Sequence, residues 1–212
     1  MSKPRRGGRP PRAASEALRD NILDAATDLF LKQGYGATSI EAVARRVGIA
    51  KRTFYHRFAD KTALLAAVVH RIIERLRPPA SVPLIQGDSP EKILEQLAAL
   101  ILRAALTPQA VALHRLLVAE SARFPKLAAV FAREGASDEV VKLIAGVLVN
   151  EARAGRLTLQ EPQFAARQFL TMVVAIPQRR ALGLGPPISA RERRLWPRKV
   201  VDLFLYGCRK TP

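Results

Sequence analysis

The hydrophobic residues of this chain recur mainly at helical spacing, which predicts an all-α protein. Between Ser15 and Gly34, six apolar residues fall on one face at a period of 3.6 residues: Leu18, Ile22, Ala25, Ala26, Leu29 and Phe30. We therefore expect a first helix that begins at Ser15 and ends at Gly34. Residues 157–160 form a strand-like run, but four residues are too few to make a sheet.

Two short helices are predicted after this first helix. Thr38 and Glu41 have the spacing of a capping box, with Thr38 as the N-cap, and the second helix then ends at Gly48. A third helix is predicted from about residue 50 to residue 58. Asp60 is a suitable N-cap for the long fourth helix, which a Pro-Pro pair stops.

The rest of the chain also has the pattern of an all-helical domain. Glycines and prolines punctuate it into helices near residues 90–106, 108–121, 125–133, 136–155, 162–182 and 189–208. The Pro-rich loop at 78–90 is a natural place for one unit to hinge on the next. The pattern therefore predicts a small N-terminal helical unit that is joined to a larger helical one.

Positive charge is the first indication of function. The chain has 35 Lys and Arg residues against 18 Asp and Glu, a net charge of +17. Residues 1–61 have a net charge of 13 − 6 = +7, and residues 62–212 have 22 − 12 = +10, so the N-terminal part is more positive per residue. An excess of this size favours a polyanionic partner, although an Arg-rich composition can also come from a GC-rich genome.

The two short helices and the glycine-containing turn between them have the pattern of a helix-turn-helix, whose second helix fits the major groove of DNA. In the third predicted helix (50–58), which is the second helix of this motif, Phe54 and Phe58 are four residues apart and are expected to face the core. The other residues are expected on its outward faces: Lys51, Arg52, Thr53, Tyr55, His56 and Arg57. A solvated surface helix is the alternative interpretation, and the preceding turn makes DNA contact the better one.

Residues 34–65, GYGATSIEAVARRVGIAKRTFYHRFADKTALL, resemble the DNA-binding domain of the TetR family of transcriptional regulators. The resemblance implies a homodimer that holds a double-stranded DNA operator and represses nearby genes until a small-molecule effector binds. It also implies three parts: a disordered basic arm (1–14), a helix-turn-helix domain (15–61), and an effector-binding and dimerisation domain (62–212).

By position, Thr53, Tyr55 and Lys61 resemble the family's phosphate and operator contacts, and Thr38 lies where the family opens its second helix. Lys51, Arg52, His56 and Arg57 occupy positions where base and backbone contacts vary between members. Two residues depart from the family pattern. Ala50 replaces a common capping Ser, which should leave the recognition helix frayed without DNA, and Arg52 replaces a small residue or Pro.

The N-terminal arm is a second candidate DNA contact. Arg5, Arg6 and Arg9 lie in a segment without acidic residues, and Gly8-Arg9-Pro10 resembles the core of an AT-hook. Such an arm would enter a narrow A·T minor groove. The alternative is an unstructured tail that only adds solubility.

The C-terminal part is similar to the AefR-like group of TetR C-terminal domains, through residues 115–131, 161–170 and 182–187. Candidate effector contacts in this part are His114, Leu117, Phe131, Gln168 and Met172. His114 is equally well explained as a core histidine. The last two helices are apolar over more of their circumference than one contact face needs, so a dimer interface is expected from Phe169, Val173, Ile176, Val200, Leu203 and Phe204.

Other functional classes lack their residue patterns. One cysteine excludes a disulfide framework, three scattered histidines have no metal-ligand spacing, and no catalytic motif occurs. We therefore expect no metal, no cofactor and no enzymatic activity. Without a long apolar run or a signal peptide, a soluble cytoplasmic protein is expected, with no membrane association. The main alternative to a ligand-responsive regulator is a nucleoid-type protein that binds DNA largely by charge.

Overall fold

The computed structural model describes residues 12–76, 88–134 and 137–207. Within those ranges the chain is helical and contains no strand, so the all-α prediction is confirmed. The helices, in chain order, are α1 Arg12–Gln33, α2 Ile40–Val47, α3 Lys51–Tyr55, α4 Lys61–Leu76, α5 Pro90–Ala105, α6 Pro108–Glu120, α7 Pro125–Glu134, α8 Ser137–Arg153, α9 Pro162–Ala181 and α10 Ala190–Tyr206.

Most predicted helix ends agree with the structure to within a few residues. α1 ends before Gly34, which adopts φ +88°, and α2 ends before Gly48, which adopts φ +75°. α1 begins at Arg12 instead of Ser15, because the two alanines between them are strong helix formers. The Oδ1 of Asp60 accepts from the N–H of Ala63 at 2.7 Å, as predicted for the N-cap of α4.

Ser39, and not Thr38, is the N-cap of α2. The backbone of Ser39 is extended, and its Oγ accepts from the N–H of Ala42 at 3.0 Å. Thr38 is only 1% exposed, and its Oγ1 donates to the carbonyl of Gly34 at 2.8 Å. The predicted capping box is therefore wrong, because the Thr38 hydroxyl closes the loop after α1 instead of capping α2.

The first hydrophobic cluster joins α1–α4 to α6 and α7. Phe30, Val43, Phe54 and Leu65 place one fully buried side chain from each of the first four helices in it. α6 and α7 contribute Leu113, Leu116, Leu127 and Val130. Burial of each large apolar side chain stabilises the fold by about 1.5–3 kcal/mol. The cluster includes Phe58 and Leu64, which lie on either side of the domain boundary expected between residues 61 and 62. That boundary stays a prediction.

The second hydrophobic cluster is formed by α5, α8, α9 and α10. Leu97, Leu148, Phe169 and Val201 are among its fully or almost fully buried side chains. Two contacts join α9 to α10 in this cluster. The rings of Phe169 and Phe204 meet edge to face with centroids 5.0 Å apart, and the indole N–H of Trp196 donates to the Val173 carbonyl at 2.9 Å.

Acidic residues at four-residue spacing on α1 pair with cations of its neighbours. Asp28 lies 2.7 Å from the guanidinium of Arg46 on α2. Asp20 and Asp24 both contact Arg71 of α4, whose side chain is 14% exposed. Exposed pairs of this kind contribute about 0–1 kcal/mol each, so they orient the three helices more than they stabilise them.

No single helix in the described part of the chain is both long enough and apolar enough to cross a bilayer. α5 and α6 pass on length and composition only when they are taken together, and they meet at a bend of 69°. Both helices use apolar residues inside the protein, since Leu97 of α5 lies in the second hydrophobic cluster and Leu113 of α6 lies in the first.

A network of polar contacts fixes the connection between α9 and α10. The guanidinium of Arg180 donates to the Pro187 carbonyl at 3.0 Å and to Glu192 at 3.1 and 3.3 Å. Ser189 and Glu192 form a reciprocal capping box, with distances of 2.9 and 3.1 Å. The backbone N–H of Ser189, the guanidinium of Arg180 and the Ser189 side chain lower the pKa of Glu192 from its usual 4.5 to about 2.

We expect this carboxylate to make the fold sensitive to acid. The folded pKa of Glu192 lies below the unfolded value, so its stabilising contribution is complete above about pH 4.5 and is lost as the pH falls towards 2. Glu192→Gln should therefore lose less thermal stability across this pH range than the parent does. Melting temperatures between neutral pH and about pH 2 test this, with Glu161→Gln at the start of α9 as the control. An equal acid-induced loss in the parent and in Glu192→Gln would contradict it.

Candidate nucleic-acid interface

The angle between α2 and α3 is set by a left-handed glycine. Gly48 has φ +75° and ψ +34°, and its N–H bonds to carbonyls in the last turn of α2. The N–H of Ile49 then donates to the Ala44 carbonyl at 3.0 Å, which closes the helix end. A side chain at position 48 would be strained in this conformation, so the glycine allows the tight turn of the helix-turn-helix.

α3 is shorter than the predicted helix over residues 50–58. The amides of Arg57 and Phe58 both donate to the Phe54 carbonyl, at 2.8 and 3.1 Å, so the chain tightens into a turn after Tyr55. At the other end, the N-cap Ala50 makes no side-chain hydrogen bond, as its missing hydroxyl implies. Only five residues have helical geometry, so α3 depends on packing for its position.

Two phenylalanines anchor α3 to the core. Phe54 is fully buried and Phe58 is 5% exposed, as predicted, and their ring centroids are 5.6 Å apart. The ring of Tyr55 stands edge-on to Phe54 at 5.7 Å but remains 46% exposed. Tyr55 is therefore partly exposed at the surface while its ring packs against Phe54.

The outward side of α3 presents the polar side chains that could contact DNA. Lys51, Arg52, Tyr55 and His56 are exposed, and Thr53 is half-buried. They combine cationic, phenolic and imidazole groups on one short surface, and such groups can bind phosphates and hydrogen-bond to base edges. We call these five residues the α3 face.

Lys51 is held in place by an ion pair within the protein. Its Nζ contacts Oε1 of Glu41 on α2, and it lies 5.9 Å from the ring centroid of Tyr55. The Glu41 carboxylate raises the pKa of Lys51, so the amine stays cationic. Both side chains are 54% exposed, so the pair is weak enough for a phosphate to replace the carboxylate.

Arg57 supports α3 from behind instead of belonging to the α3 face. It is half-buried, and its Nη1 donates to the carbonyl of Ser15 at 2.9 Å and lies 3.1 Å from the Ser15 Oγ. These bonds tie the end of the α3 turn to the start of α1, 42 residues earlier. The prediction that Arg57 lies outward with the others is therefore wrong, because its guanidinium bonds α1.

Lys61, another expected DNA contact, lies at the start of α4. Its Nζ is 4.3 Å from the ring centroid of Tyr35 and 3.3 Å from the carbonyl of Gly36. Burial lowers the pKa of Lys61, and the charge of Glu120 on α6 opposes that shift. No sequence signal pointed to this cluster, because Glu120 lies far from the loop along the chain.

The other four expected DNA contacts are Thr38, which is buried, and Arg5, Arg6 and Arg9 of the arm. The burial of Thr38 leaves its side chain unavailable to DNA, which overturns that contact because the hydroxyl bonds Gly34. Arg5, Arg6 and Arg9 lie outside the described residues, so the arm stays a prediction.

The expected effector contacts do not converge on one site. Leu117 and Phe131 pack against the first hydrophobic cluster, whereas Met172 packs against the second and Gln168 is exposed. His114 is half-buried on α6, and burial lowers its pKa, which favours the neutral imidazole. A shared pocket of these five residues is therefore not formed in this structure.

The expected dimer residues divide into buried and exposed groups. Phe169, Val173 and Val200 are 0%, 0% and 6% exposed and belong to the second cluster of the subunit itself. Their assignment to an interface is therefore wrong, because they already pack inside the protomer. Ile176 and Leu203 are 53% and 47% exposed, and Phe204 is half-buried; these three remain candidates.

Family models match both parts of the chain. The model described as "Bacterial regulatory proteins, tetR family" matches residues 22–68, which include α2 and α3. The model described as "AefR-like transcriptional repressor, C-terminal domain" matches residues 92–207, which is more than half of the chain. Both agree with the resemblances seen in the sequence.

Individual proteins show the same relationship. The chain is 36% identical over 72 residues to the HTH-type transcriptional activator FasR of Mycolicibacterium smegmatis, covering 34% of this chain and 32% of that protein. It is 34% identical over 103 residues to the HTH-type transcriptional repressor KstR of Rhodococcus jostii, covering 46% and 47%. The chain thus spans about a third of the length of FasR and about half of that of KstR.

Structural similarity extends over nearly the whole chain. The solved structure of the "Flavonoid-responsive Regulator FrrA" is similar with a TM-score of 0.75 at 29% identity, and the match covers 93% of this chain and 100% of that one. The helix-turn-helix geometry, both family models and these relatives agree. The chain therefore belongs to the TetR family of DNA-binding transcriptional regulators.

Proposed function

We propose that this protein is a repressor that binds a pseudo-palindromic operator as a homodimer and releases it when a small molecule binds its C-terminal domain. The observation that carries the proposal is the α3 face, which is exposed directly above the buried Phe54. Residues 15–61 act as the DNA-binding domain and residues 62–212 as the effector and dimerisation domain. The basic arm ahead of α1, with Arg5, Arg6 and Arg9, adds minor-groove contacts, whereas residues 12–14 of the expected arm belong to α1.

Charge supports DNA as the partner. Arg45, Lys51 and Arg52 are exposed on α2 and α3, within a chain whose net charge is +17. Phosphates attract such residues independently of sequence, whereas Arg52, Tyr55 and His56 on the α3 face have the donors needed to distinguish bases. The same protein can therefore find DNA by charge and select a site by base contacts.

A dimer is supported by apolar side chains that the subunit leaves exposed on α9 and α10. Phe164 and Ile176 of α9 are 59% and 53% exposed. On α10, Leu195, Leu203 and Tyr206 are 42%, 47% and 54% exposed, and their spacing of eight and three residues places them on one face. Isolated exposed apolar residues are common, but five of them on two packed helices favour an interface.

A small-molecule effector is supported by the proteins to which this chain is similar. The matching C-terminal model describes a repressor, and FrrA is by its name a flavonoid-responsive regulator. We propose that a small molecule enters the helical C-terminal domain, near His114 on α6, and weakens operator binding. A panel of flavonoids is the first set of probes; release of bound DNA by one member would support the proposal.

Selection of bound sites from random DNA tests sequence-specific binding. The protein should enrich a pseudo-palindrome whose half-sites are about one helical turn apart, since two α3 faces of a dimer would enter successive major grooves. The recovered duplex should bind about 10³-fold more tightly than unrelated DNA at physiological salt. Equal binding of both duplexes would instead favour the alternative of a charge-driven nucleoid-type protein.

Alanine substitutions on the α3 face should weaken binding without unfolding the domain. Arg52→Ala and Tyr55→Ala each remove an exposed group, and each should lower affinity for the selected duplex by about 10-fold or more. Binding isotherms measure the affinity, and melting temperatures verify the fold. Lys142→Ala on the exposed side of α8 removes one positive charge as a control. Parental affinity in both α3 variants would exclude this face as the interface.

Charged substitutions on α9 and α10 should separate the dimer. Ile176→Glu and Leu203→Glu replace exposed apolar residues, so each protomer should fold while burial of the new charge raises the dissociation constant at least about 100-fold. Light scattering should give twice 23.3 kDa for the parent and 23.3 kDa for the variants. Val118→Glu, at a 56% exposed position on α6, is the matched control. A parental mass in both α9 and α10 variants would place the interface elsewhere.

A further inference from the structure

The loop between α1 and α2 is bonded to the end of α6, 84 residues later in the chain. The N–H of Gly36 donates to Oε2 of Glu120, the last residue of α6, at 2.7 Å. A hydrogen bond to a carboxylate is stronger than one between neutral groups. The DNA-binding helices are therefore connected to the C-terminal domain at a point four residues before α2 begins.

An aromatic contact reinforces this bond. Tyr35 is 7% exposed, and its ring meets the ring of Phe124, in the turn after α6, edge to face at 5.2 Å. The same ring lies 5.7 Å from Phe30 of α1 and 4.3 Å from the Nζ of Lys61. Tyr35 thus links the turn after α6 to the two helices that flank the DNA-binding pair.

The two glycines of the loop make room for this contact. A Cβ at Gly34, which has φ +88°, would overlap the carboxylate of Glu120. A Cβ at Gly36 would lie 3.1–3.3 Å from Phe124 and Glu120, closer than most side-chain contacts. Glycine at both positions therefore leaves room for the side chains of Glu120 and Phe124 to approach the loop. We call the packing of Glu120 and Phe124 against residues 34–36 the α6–loop contact.

The α6–loop contact also includes Lys61, a candidate for contact with a DNA phosphate. Lys61 donates to the Gly36 carbonyl at 3.3 Å, while the Gly36 N–H donates to Glu120. Burial lowers the pKa of Lys61, and the negative charge of Glu120 opposes this shift by favouring the protonated amine. A displacement of Glu120 would thus change both the loop that precedes α2 and the environment of Lys61.

We infer that Glu120 is a positioning residue for operator binding: through the α6–loop contact it fixes the α1–α2 loop, and with it α2 and α3, to the end of α6. The inference rests on the proposed function for its DNA readout. Amide exchange at Gly36 provides a readout that does not depend on DNA.

Substitutions of Glu120 in the full-length protein test the inference. Glu120→Ala should abolish protection of the Gly36 amide and lower affinity for the selected duplex about 10-fold, while affinity for unrelated DNA does not fall. Glu120→Gln retains an oxygen acceptor and should restore the protection and most of the affinity. Glu161→Ala removes an exposed carboxylate at the start of α9 as the control.

Gly36→Ala provides a second variant that leaves Glu120 intact. Its Cβ should press Phe124 and Glu120 away from the loop and lower affinity for the selected duplex with little change in melting temperature. Gly146→Ala on α8, where a Cβ would meet no atom within 4 Å, is the control and should bind as the parent does.

Three results would overturn the inference. The first is parental Gly36 exchange in Glu120→Ala, and the second is parental operator affinity in both Glu120→Ala and Gly36→Ala. The third is equal impairment of the Ala and Gln variants at position 120, which would assign the effect to charge instead of position. If random DNA yields no preferred duplex, the proposed function fails, and Gly36 exchange still decides whether the α6–loop contact exists.

Discussion

Burial of Phe54 is the constraint on which the DNA-binding surface depends. α3 has only five helical residues and no side-chain cap, so its own hydrogen bonds cannot hold it in place. Phe54 is fully buried in the first cluster, and helical geometry then places Arg52 and His56 on the opposite side, where they are exposed. The same side chain thus stabilises the domain and orients the α3 face.

The core that holds Phe54 also contains residues of α6 and α7. Leu113 and Leu127 pack in the same cluster as α1 and α4, so the DNA-binding helices are not packed independently of the C-terminal domain. The loop that precedes α2 is in addition bonded to Glu120. A rearrangement of α6 must therefore alter either the shared core or this loop, and both lie next to the helices that carry the α3 face.

Local signals in the sequence were sufficient for most of the helices. Gly34 and Gly48 adopt left-handed backbone at helix ends, and α5, α6, α7 and α9 each begin at a proline, where a missing amide costs nothing. Adjacent hydroxyls were not distinguishable in this way. Thr38 and Ser39 can both cap a helix, and only the folded loop decides that Thr38 bonds Gly34.

Contacts between distant segments were beyond the sequence. Arg57 is a cationic residue near α3, as a DNA contact would be, but it bonds Ser15, which is 42 residues away along the chain. Apolar residues such as Phe169 and Val173 give the same pattern whether they fill the subunit's own core or an interface, so their burial in the second cluster needed the structure. The bond from Gly36 to Glu120 has no local signature, because glycine carries no side chain to suggest it.

Hydroxyl-radical footprinting of the protein tests the central claim, that the α3 face meets the duplex. Tyr55 is 46% exposed on this face, and His70, which is exposed on α4, is an internal reference of the same residue type as His56. Addition of the selected duplex should strongly reduce oxidation of Tyr55 and His56 and leave oxidation of His70 unchanged. Unchanged oxidation of Tyr55 and His56 when the protein is saturated with that duplex would contradict the account.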